Sequence, residues 1–360
     1  MSARTLLLGG VGVLALLAAG PPQAEDAVRF TEVEVRRLLL HSPLEGPPPD
    51  PTNRVADDPR AARLGQRLFF DPRLSANGEI SCATCHEPSK GLADGKPLAE
   101  GLGTTTRSAP TLWNVAWQRW FFWDGRVDTL WGQAMQPLES PDEMGSSRTA
   151  LARLVASDAL LRAEHEALFG PLPAVLDAAT LPEHARPVPD DPDHPHAVAW
   201  EALGEARREA VDAVAVDALK AVAAYERLLV SRLAPFDVFA EGLREEEPEK
   251  LAALSPSAQR GAKLFVGSAG CRSCHSGPAF SDGEFHDLML PPLGGGRPNE
   301  PGRYAGLERL LREPFSSASR HSDDPDGEKA RALGRLVRGP QTYAELKTPT
   351  LRNVARTAPY

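Results

Sequence analysis

The 360-residue sequence is poor in cysteine, methionine and tyrosine, with four of each, and it has no excess of basic residues. With 40 lysines and arginines against 49 aspartates and glutamates, its net charge of -9 argues against nucleic-acid binding. An acidic surface can attract a basic redox protein, although it equally serves ordinary solubility. Strand-like patterns are sparse. The longest apolar run, Leu6 to Ala19, is shorter than the roughly 18 to 20 residues of a transmembrane helix, so no membrane span is predicted.

The N-terminus has the layout of a secretory signal peptide. Arg4 precedes the apolar run, and small residues follow it up to Ala24. We therefore predict that residues 1–24 are a signal peptide and that the mature protein is periplasmic. An uncleaved membrane anchor is the second interpretation. The remaining residues are enough for two domains.

All four cysteines lie in two copies of Cys-x-x-Cys-His, at 82–86 and 271–275. Each copy is typical of a c-type haem attachment site, where both thiols bind the haem covalently and the histidine is the proximal iron ligand. The alternatives are a zinc site or disulfides, but a zinc site does not require a histidine after both cysteine pairs. The predicted haem-binding residues are Cys82, Cys85, His86, Cys271, Cys274 and His275.

The two haem motifs are parts of an internal repeat. Before the motifs, residues 64–69 match 260–265. After them, Asp-Gly at 94–95 matches Asp-Gly at 282–283, and further on residues 109–116 match 348–355. Asp58-Pro59 and Ser255-Pro256 predict a capped helix start in each copy. Residues 205–231 carry apolar side chains at helical spacing, on one face. The chain is predicted to be mainly α with long loops.

Two insertions interrupt the repeat. Residues 171–196 contain seven prolines, which predicts an exposed, mobile segment. His184, His194 and His196 are candidate metal ligands there, but a solvated loop is favoured because nothing nearby completes a coordination shell. Residues 290–342 lengthen the second copy, and we expect them to shape a partner surface or to shield the second haem.

The sequence resembles the bacterial dihaem cytochrome c peroxidases and their MauG-like relatives, from about Ala61 to the end, apart from the insertions. The resemblance implies two cytochrome c-like haem domains, at 25–245 and 246–360, with a peroxide-reactive haem in the first and an electron-relay haem in the second. It rests on both haem motifs and on Leu68-Phe69-Phe70-Asp71, Ile80-Ser81-Cys82-Ala83, Phe122-Trp123-Asp124-Gly125-Arg126, Pro137-Leu138, Glu143-Met144, Phe236-Asp237 and Thr348-Pro349-Thr350-Leu351-Arg352-Asn353-Val354.

The resemblance also assigns roles to residues outside the haem motifs. Glu143 matches the family's distal acid-base glutamate, Gln133 the neighbouring pocket glutamine, and Trp123 the tryptophan between the haems. Without the resemblance, Glu143 would be interpreted as a solvated acid and Trp123 as a core residue. The family's calcium ligands fall at Ser108, Thr357 and Pro359. Ser108 replaces an asparagine, whose side-chain carbonyl is a better ligand for this hard cation than a hydroxyl.

Two departures from the family bear on mechanism. Members that need prior reduction carry a histidine that blocks the reactive iron, but no histidine lies between Glu87 and Asp142, and the aligned position is near Glu100. This predicts an open first haem, unless Met135 or Met144 caps the iron. The second repeat also stops at Tyr360, before the position of the family's methionine or tyrosine ligand, so the chain is expected to be a fragment.

These features predict a periplasmic dihaem peroxidase that reduces hydrogen peroxide with electrons from a small c-type cytochrome or cupredoxin. The alternatives are a MauG-like oxidase that modifies a protein partner, and a non-catalytic dihaem electron carrier or haem sensor. An open sixth position on the first iron, with Glu143 nearby, distinguishes catalysis from simple electron transfer. A homodimer stays open as the assembly state.

Overall fold

The computed structural model describes residues 28–289 and 300–358. The predicted signal peptide lies outside the described residues. Within them the protein is mainly helical, as predicted, and none of their helices is long and apolar enough to cross a membrane. The α-helices are α1 (Glu32–Leu39), α2 (Pro59–Phe69), α3 (Cys82–Cys85), α4 (Leu130–Glu139), α5 (Arg148–Ser157), α6 (Ala159–Phe169), α7 (Pro195–Ala202), α8 (Glu205–Glu226), α9 (Pro235–Glu245), α10 (Pro248–Leu251), α11 (Pro256–Val266), α12 (Arg303–Leu310) and α13 (Glu328–Leu333).

Short 3-10 helices and one small antiparallel sheet complete the regular structure of the described residues. In the sheet, β1 (Phe285–His286) pairs with β2 (Leu346–Lys347), so that the segment after the second haem motif meets the end of the second insertion. The 3-10 helices are Pro72–Leu74, Pro88–Lys90, Val115–Trp117, Cys271–Ser273, Pro340–Thr342 and Val354–Arg356.

The two predicted helix starts before the haem motifs are confirmed. The Asp58 side chain accepts the N–H of Arg60 at the start of α2, and the Ser255 hydroxyl accepts the N–H of Ala258 at the start of α11. Each cap satisfies a backbone donor that the helix itself leaves unpaired. Each helix therefore begins at a fixed residue and ends before its haem motif.

Helix α8 is the centre of the larger hydrophobic core. The apolar pattern predicted one buried face over 205–231, but the helix ends at Glu226 and its second half is buried on all sides, because α2, α4 and α5 surround it. That burial includes Lys220, which is 2% exposed and ion-paired with Asp323 at 2.6 Å. The prediction of one buried face was wrong because the spacing of apolar residues in the sequence does not show how many other helices pack against α8.

Helices α2 and α8 cross at Gly65, where a methyl group would overlap the backbone carbonyl of Ala221. We expect Gly65→Ala to destabilise the protein by about 1 to 3 kcal/mol, because the helices must separate to admit the side chain. Chemical denaturation followed by circular dichroism measures this. Gly334→Ala is the control, since Gly334 has right-handed helical dihedrals and its nearest neighbour would lie at 3.7 Å. Equal stability of both variants would contradict the close crossing.

The first insertion packs against the core. It has no regular structure before α7, as its prolines predicted, but Leu176, Leu181 and Ala185 are buried. Thr149 also donates a hydrogen bond of 2.7 Å to the Ala185 carbonyl. The prediction of an exposed segment is therefore wrong for these residues, because the apolar side chains between the prolines reach the core.

The second insertion packs against the first repeat. Its opening residues, 290–299, lie outside the described residues, but Leu307, Leu310 and Leu333 of α12 and α13 surround Trp120. The buried Arg303 donates a hydrogen bond of 2.6 Å to the Gly125 carbonyl and lies over the Trp120 ring. This part of the insertion therefore joins the two repeats.

Candidate active site

The two Cys-x-x-Cys-His motifs have matching local geometry. His86 Nδ1 lies 3.1 Å from the Leu92 carbonyl, and His275 Nδ1 lies 3.1 Å from the Phe280 carbonyl. Both carbonyl residues have positive φ, 57° and 50°, so the chain turns back toward its histidine in the same way. A backbone carbonyl on one ring nitrogen fixes the tautomer and leaves Nε2 as the metal ligand. Both histidines therefore fit the role of proximal haem ligand.

A second set of hydrogen bonds repeats around each motif. Thr111 donates to the Gly91 carbonyl and Thr350 to the Ala279 carbonyl, both at 2.6 Å. The matched asparagines, Asn114 and Asn353, both have left-handed backbone conformations, with φ of 60° and 63°. The internal repeat in the sequence is thus a repeat of structure around the two sites.

A single serine connects the two repeats. The Asn114 side-chain amide donates a hydrogen bond of 3.0 Å to the Ser231 carbonyl, and the Ser231 backbone N–H donates one of 2.8 Å to Asn114 Oδ1. Its hydroxyl donates to Asn353 Oδ1 at 3.0 Å. The two haem segments are therefore tied to one point of the chain just after α8.

The thiols favour covalent haem attachment over the zinc and disulfide alternatives. All four cysteines are unpaired, and the described residues bring no four-thiol cluster together. Burial raises the pKa of Cys82 to about 12 and that of Cys85 to about 11, so both are neutral thiols at pH 7. The two thiol pairs therefore do not share a four-cysteine zinc site, and each pair keeps the histidine of its own motif, as one haem per motif requires.

The second motif lies beside an apolar cavity of about 190 Å³. Phe236, Phe265, Phe280 and the buried His41 are among the residues that line it. His41 Nε2 lies 3.2 Å from the His275 carbonyl, which places this ring against the motif backbone. Aromatic walls of this kind suit the apolar face of a porphyrin.

Glu143 lies near the first motif, in the turn that follows α4. Its carboxylate is close enough to Cys85 to raise the pKa of that thiol. Burial raises the pKa of Glu143 itself, and the Arg126 guanidinium and Ser140 oppose this shift without cancelling it. A half-buried carboxyl with a raised pKa is suited to moving protons.

The loop around Glu100 holds the backbone on either side of Glu143. Leu102 N–H donates to the Glu143 carbonyl and Gly103 N–H to the Asp142 carbonyl, each at 2.9 Å. A methyl group at Gly101 would overlap the Glu143 backbone. The Glu100 side chain is 58% exposed and paired with Lys96. The loop that aligns with the family's blocking histidine therefore supports Glu143 and directs its own carboxylate to solvent.

Arg126 is a site residue to which sequence reasoning assigned no role. Its guanidinium lies 3.4 Å from the centre of the Phe122 ring and 3.2 Å from an Asp124 oxygen. Its positive charge lowers the pKa of Glu143, against the larger effect of burial. The only signal in the sequence was its place in the Trp-Asp-Gly-Arg motif.

Trp123 lies where the repeats meet. Its backbone carbonyl accepts the N–H of Lys347 in β2 at 2.8 Å, and β2 pairs with the strand that follows the second motif. The indole Nε1 is buried without a hydrogen-bond partner among the described residues. Trp123 therefore lies between the segments that carry the two motifs.

The other predicted site residues are less defined. Gln133 is half-buried on α4, and Met135 and Met144 belong to the hydrophobic core. Of the predicted calcium ligands, Ser108 and Thr357 are half-buried, while Pro359 lies outside the described residues. Thr357 lies against Gly91, beside the first motif.

Glu226 is a second residue that the sequence did not reveal. It is 4% exposed at the end of α8, and burial raises its pKa to about 8. Its charge would act on Cys82, so it lies near the first motif. Nothing in the sequence marks it, because Glu226 looks like one acid among 49.

Comparisons with known proteins agree on one family. Residues 59–245 match the family model described as di-haem cytochrome c peroxidase. The methylamine utilization protein MauG of Methylorubrum extorquens is 35% identical over 290 residues, covering 78% of this chain and 69% of that protein. The cytochrome-c peroxidase IdrP1 of Pseudomonas sp. is 29% identical, covering 94% and 77%. The crystal structure of the diheme peroxidase BthA of Burkholderia thailandensis aligns with a TM-score of 0.57 and 25% identity, covering 88% and 73%.

Proposed function

Because the chain belongs to the di-haem cytochrome c peroxidase and MauG family of oxidoreductases, we propose that it is a periplasmic enzyme that reduces hydrogen peroxide to water. The electrons would come from a small c-type cytochrome or cupredoxin, and the acidic net charge would favour a basic donor. The predicted signal peptide is the basis for the periplasmic location.

The observation that carries this proposal is the environment of Glu143. Its carboxyl is half-buried, lies near Cys85, and has a pKa raised by burial and moderated by Arg126. An electron carrier needs no titratable group at this position. A peroxidase does, because the two oxygens of peroxide must exchange a proton as their bond breaks.

The residues of the site would have separate roles in this reaction. Bound through the two motifs, the haems supply the redox chemistry of the family. Glu143 takes the proton from one peroxide oxygen and returns it to the departing oxygen, which leaves as water. The Arg126 charge favours the ionised form of Glu143, and the loop at Glu100 holds the Glu143 backbone. Two protons and two electrons then balance one peroxide and two waters.

Trp123 would carry electrons between the two haem sites. Donor proteins of this kind deliver one electron at a time, whereas peroxide reduction requires two. An indole between the sites shortens the electron-transfer steps, and the contact of Trp123 with β2 supports this assignment. Calcium at Ser108, Thr357 and Pro359 remains a prediction.

A MauG-like oxidase that modifies a protein partner is the second candidate. It is favoured by the absence of histidine between Glu87 and Asp142 and by the similarity to MauG. Steady consumption of peroxide with a reduced cytochrome or cupredoxin distinguishes the peroxidase from this oxidase.

The ferric absorption spectrum of the purified holoprotein, before and after peroxide, tests the open first site. We expect a high-spin component at rest and a reaction with peroxide without prior reduction, because Glu100 faces solvent and no histidine is available between residues 87 and 142. A wholly low-spin spectrum that reacts only after one-electron reduction would point to Met135 or Met144 as a ligand and contradict the open site.

A further inference from the structure

Three histidines of the first insertion converge in the structure. The ring centres of His184 and His196 lie 5.4 Å apart, and those of His194 and His196 lie 4.8 Å apart. His184 precedes the others by 10 and 12 positions in a segment without regular structure, so sequence spacing did not predict this contact. The sequence favoured a solvated loop here, whereas in the structure His196 contacts both other rings.

The backbone around these rings is held in place on both sides. Ala185 N–H donates to the Ser147 hydroxyl at 3.2 Å, and Ala185 itself is buried. Arg186 N–H donates to the His196 carbonyl at 3.3 Å, which joins the interior of the insertion to its C-terminal end. The rings are therefore presented by an anchored loop and by the first turn of α7.

One of the rings has an unused nitrogen. His196 Nδ1 is buried and makes no hydrogen bond within the described residues. Leaving a buried polar atom unpaired is unfavourable, so such an atom indicates a missing partner.

We propose that His184, His194 and His196 form a non-haem site for one divalent transition-metal ion of the zinc, copper or nickel class. Imidazole is a good ligand for these ions, whereas calcium and magnesium prefer oxygen. The neighbouring charges do not attract a cation. The Arg186 charge acts on His196 and repels cations, and Glu139, an acid whose charge also reaches His196, is already paired with Arg148. Binding must therefore come from coordination by nitrogen, not from charge.

The ring spacing agrees with a shared ion. With Zn–N bonds of about 2.0 to 2.1 Å and tetrahedral angles, two imidazoles on one zinc have ring centres roughly 5 Å apart. The observed separations, 4.8 and 5.4 Å, bracket that value. The three rings do not yet offer one nitrogen each within 4.8 Å of the other two, so they must reorient about their side-chain bonds to share an ion.

His194 would join the site at some cost. Its Nδ1 accepts the His196 backbone N–H at 3.0 Å and caps α7. Since a neutral ring with this acceptor carries its proton on Nε2, coordination there requires the proton to leave or the cap to break. Loss of the cap would destabilise the start of α7. We therefore assign His184 and His196 as the principal ligands and His194 as the third.

Zinc titration of the haem-loaded full chain, by calorimetry and metal analysis after removal of bound metals, tests the proposal. We expect one tightly bound Zn²⁺ per chain beyond the haem iron, with imidazole ligands visible in the zinc X-ray absorption spectrum. His184→Gln and His196→Gln should each weaken binding at least about tenfold, since loss of even an outer partner of a metal site costs roughly 10- to 100-fold. His194→Asn should weaken it less and keep the α7 cap.

His286→Gln is the matched control, because Cys274, Asp282 and His286 already hold ligand atoms within 4.8 Å of one another and are the competing metal site among the described residues. It should bind zinc as the parent does. Absence of stoichiometric zinc, or zinc lost in His286→Gln but kept in His184→Gln, would overturn the proposal. Peroxide turnover of the same samples is expected to stay unchanged in the His184 variant, so this test is independent of the proposed enzyme activity.

Discussion

Glu143→Gln is expected to lower the rate of peroxide turnover by a factor of about 10² to 10⁴ while both haems stay attached. The substitution keeps the shape of the side chain and removes its ability to accept a proton. Stopped-flow mixing of the ferric holoprotein with peroxide, and steady-state turnover with a reduced donor, measure the effect. Asp142→Asn is the matched control, since Asp142 is the exposed neighbour of Glu143 in the same turn.

The pH dependence of the rate gives a second test of Glu143. The group must be ionised to take a proton, and burial raises its pKa above the ordinary value of 4.5. The parent should therefore lose activity on acidification at a higher pH than an ordinary glutamate would cause, and Glu143→Gln should lack this limb. Parent-like rates in Glu143→Gln would show that another group moves the proton.

Replacing the cysteine pairs should have the largest effect on the cofactor. Because each motif offers two thiols to one haem, Cys82→Ser with Cys85→Ser should reduce the covalent haem content by half and abolish peroxide turnover. Cys271→Ser with Cys274→Ser should remove the same amount of haem. That variant should still react once with peroxide at the first site but fail in repeated turnover, because its electron relay is missing.

Mass spectrometry of the denatured proteins, made with the c-haem maturation machinery, counts the attached haems. The matched local geometry of His86 and His275 makes the two double variants controls for each other. A parent protein with one haem or none would refute the central interpretation of the motifs. Full turnover without the second pair would remove the need for a relay haem.

The sequence by itself determined the features that depend on neighbouring residues. Covalent haem attachment needs two thiols and a histidine within five positions, so the sequence shows them directly. The helix starts at Asp58 and Ser255 were predictable for the same reason, since a cap contacts a backbone N–H two or three residues away. The duplication and the family followed from motifs of this local kind.

The tertiary structure decided everything that depends on burial or on distant pairing. Glu143 and Glu226 cannot be distinguished from other acids in the sequence. In the structure burial raises the pKa of both, and only Glu143 is faced by the Arg126 charge. Lys220 lies inside the core because Asp323, far along the chain, meets it there. The three insertion histidines likewise meet only because the fold anchors Ala185 and closes the loop. A pattern along the chain cannot supply these facts, since desolvation and charge pairing depend on which distant segments come to lie around a residue.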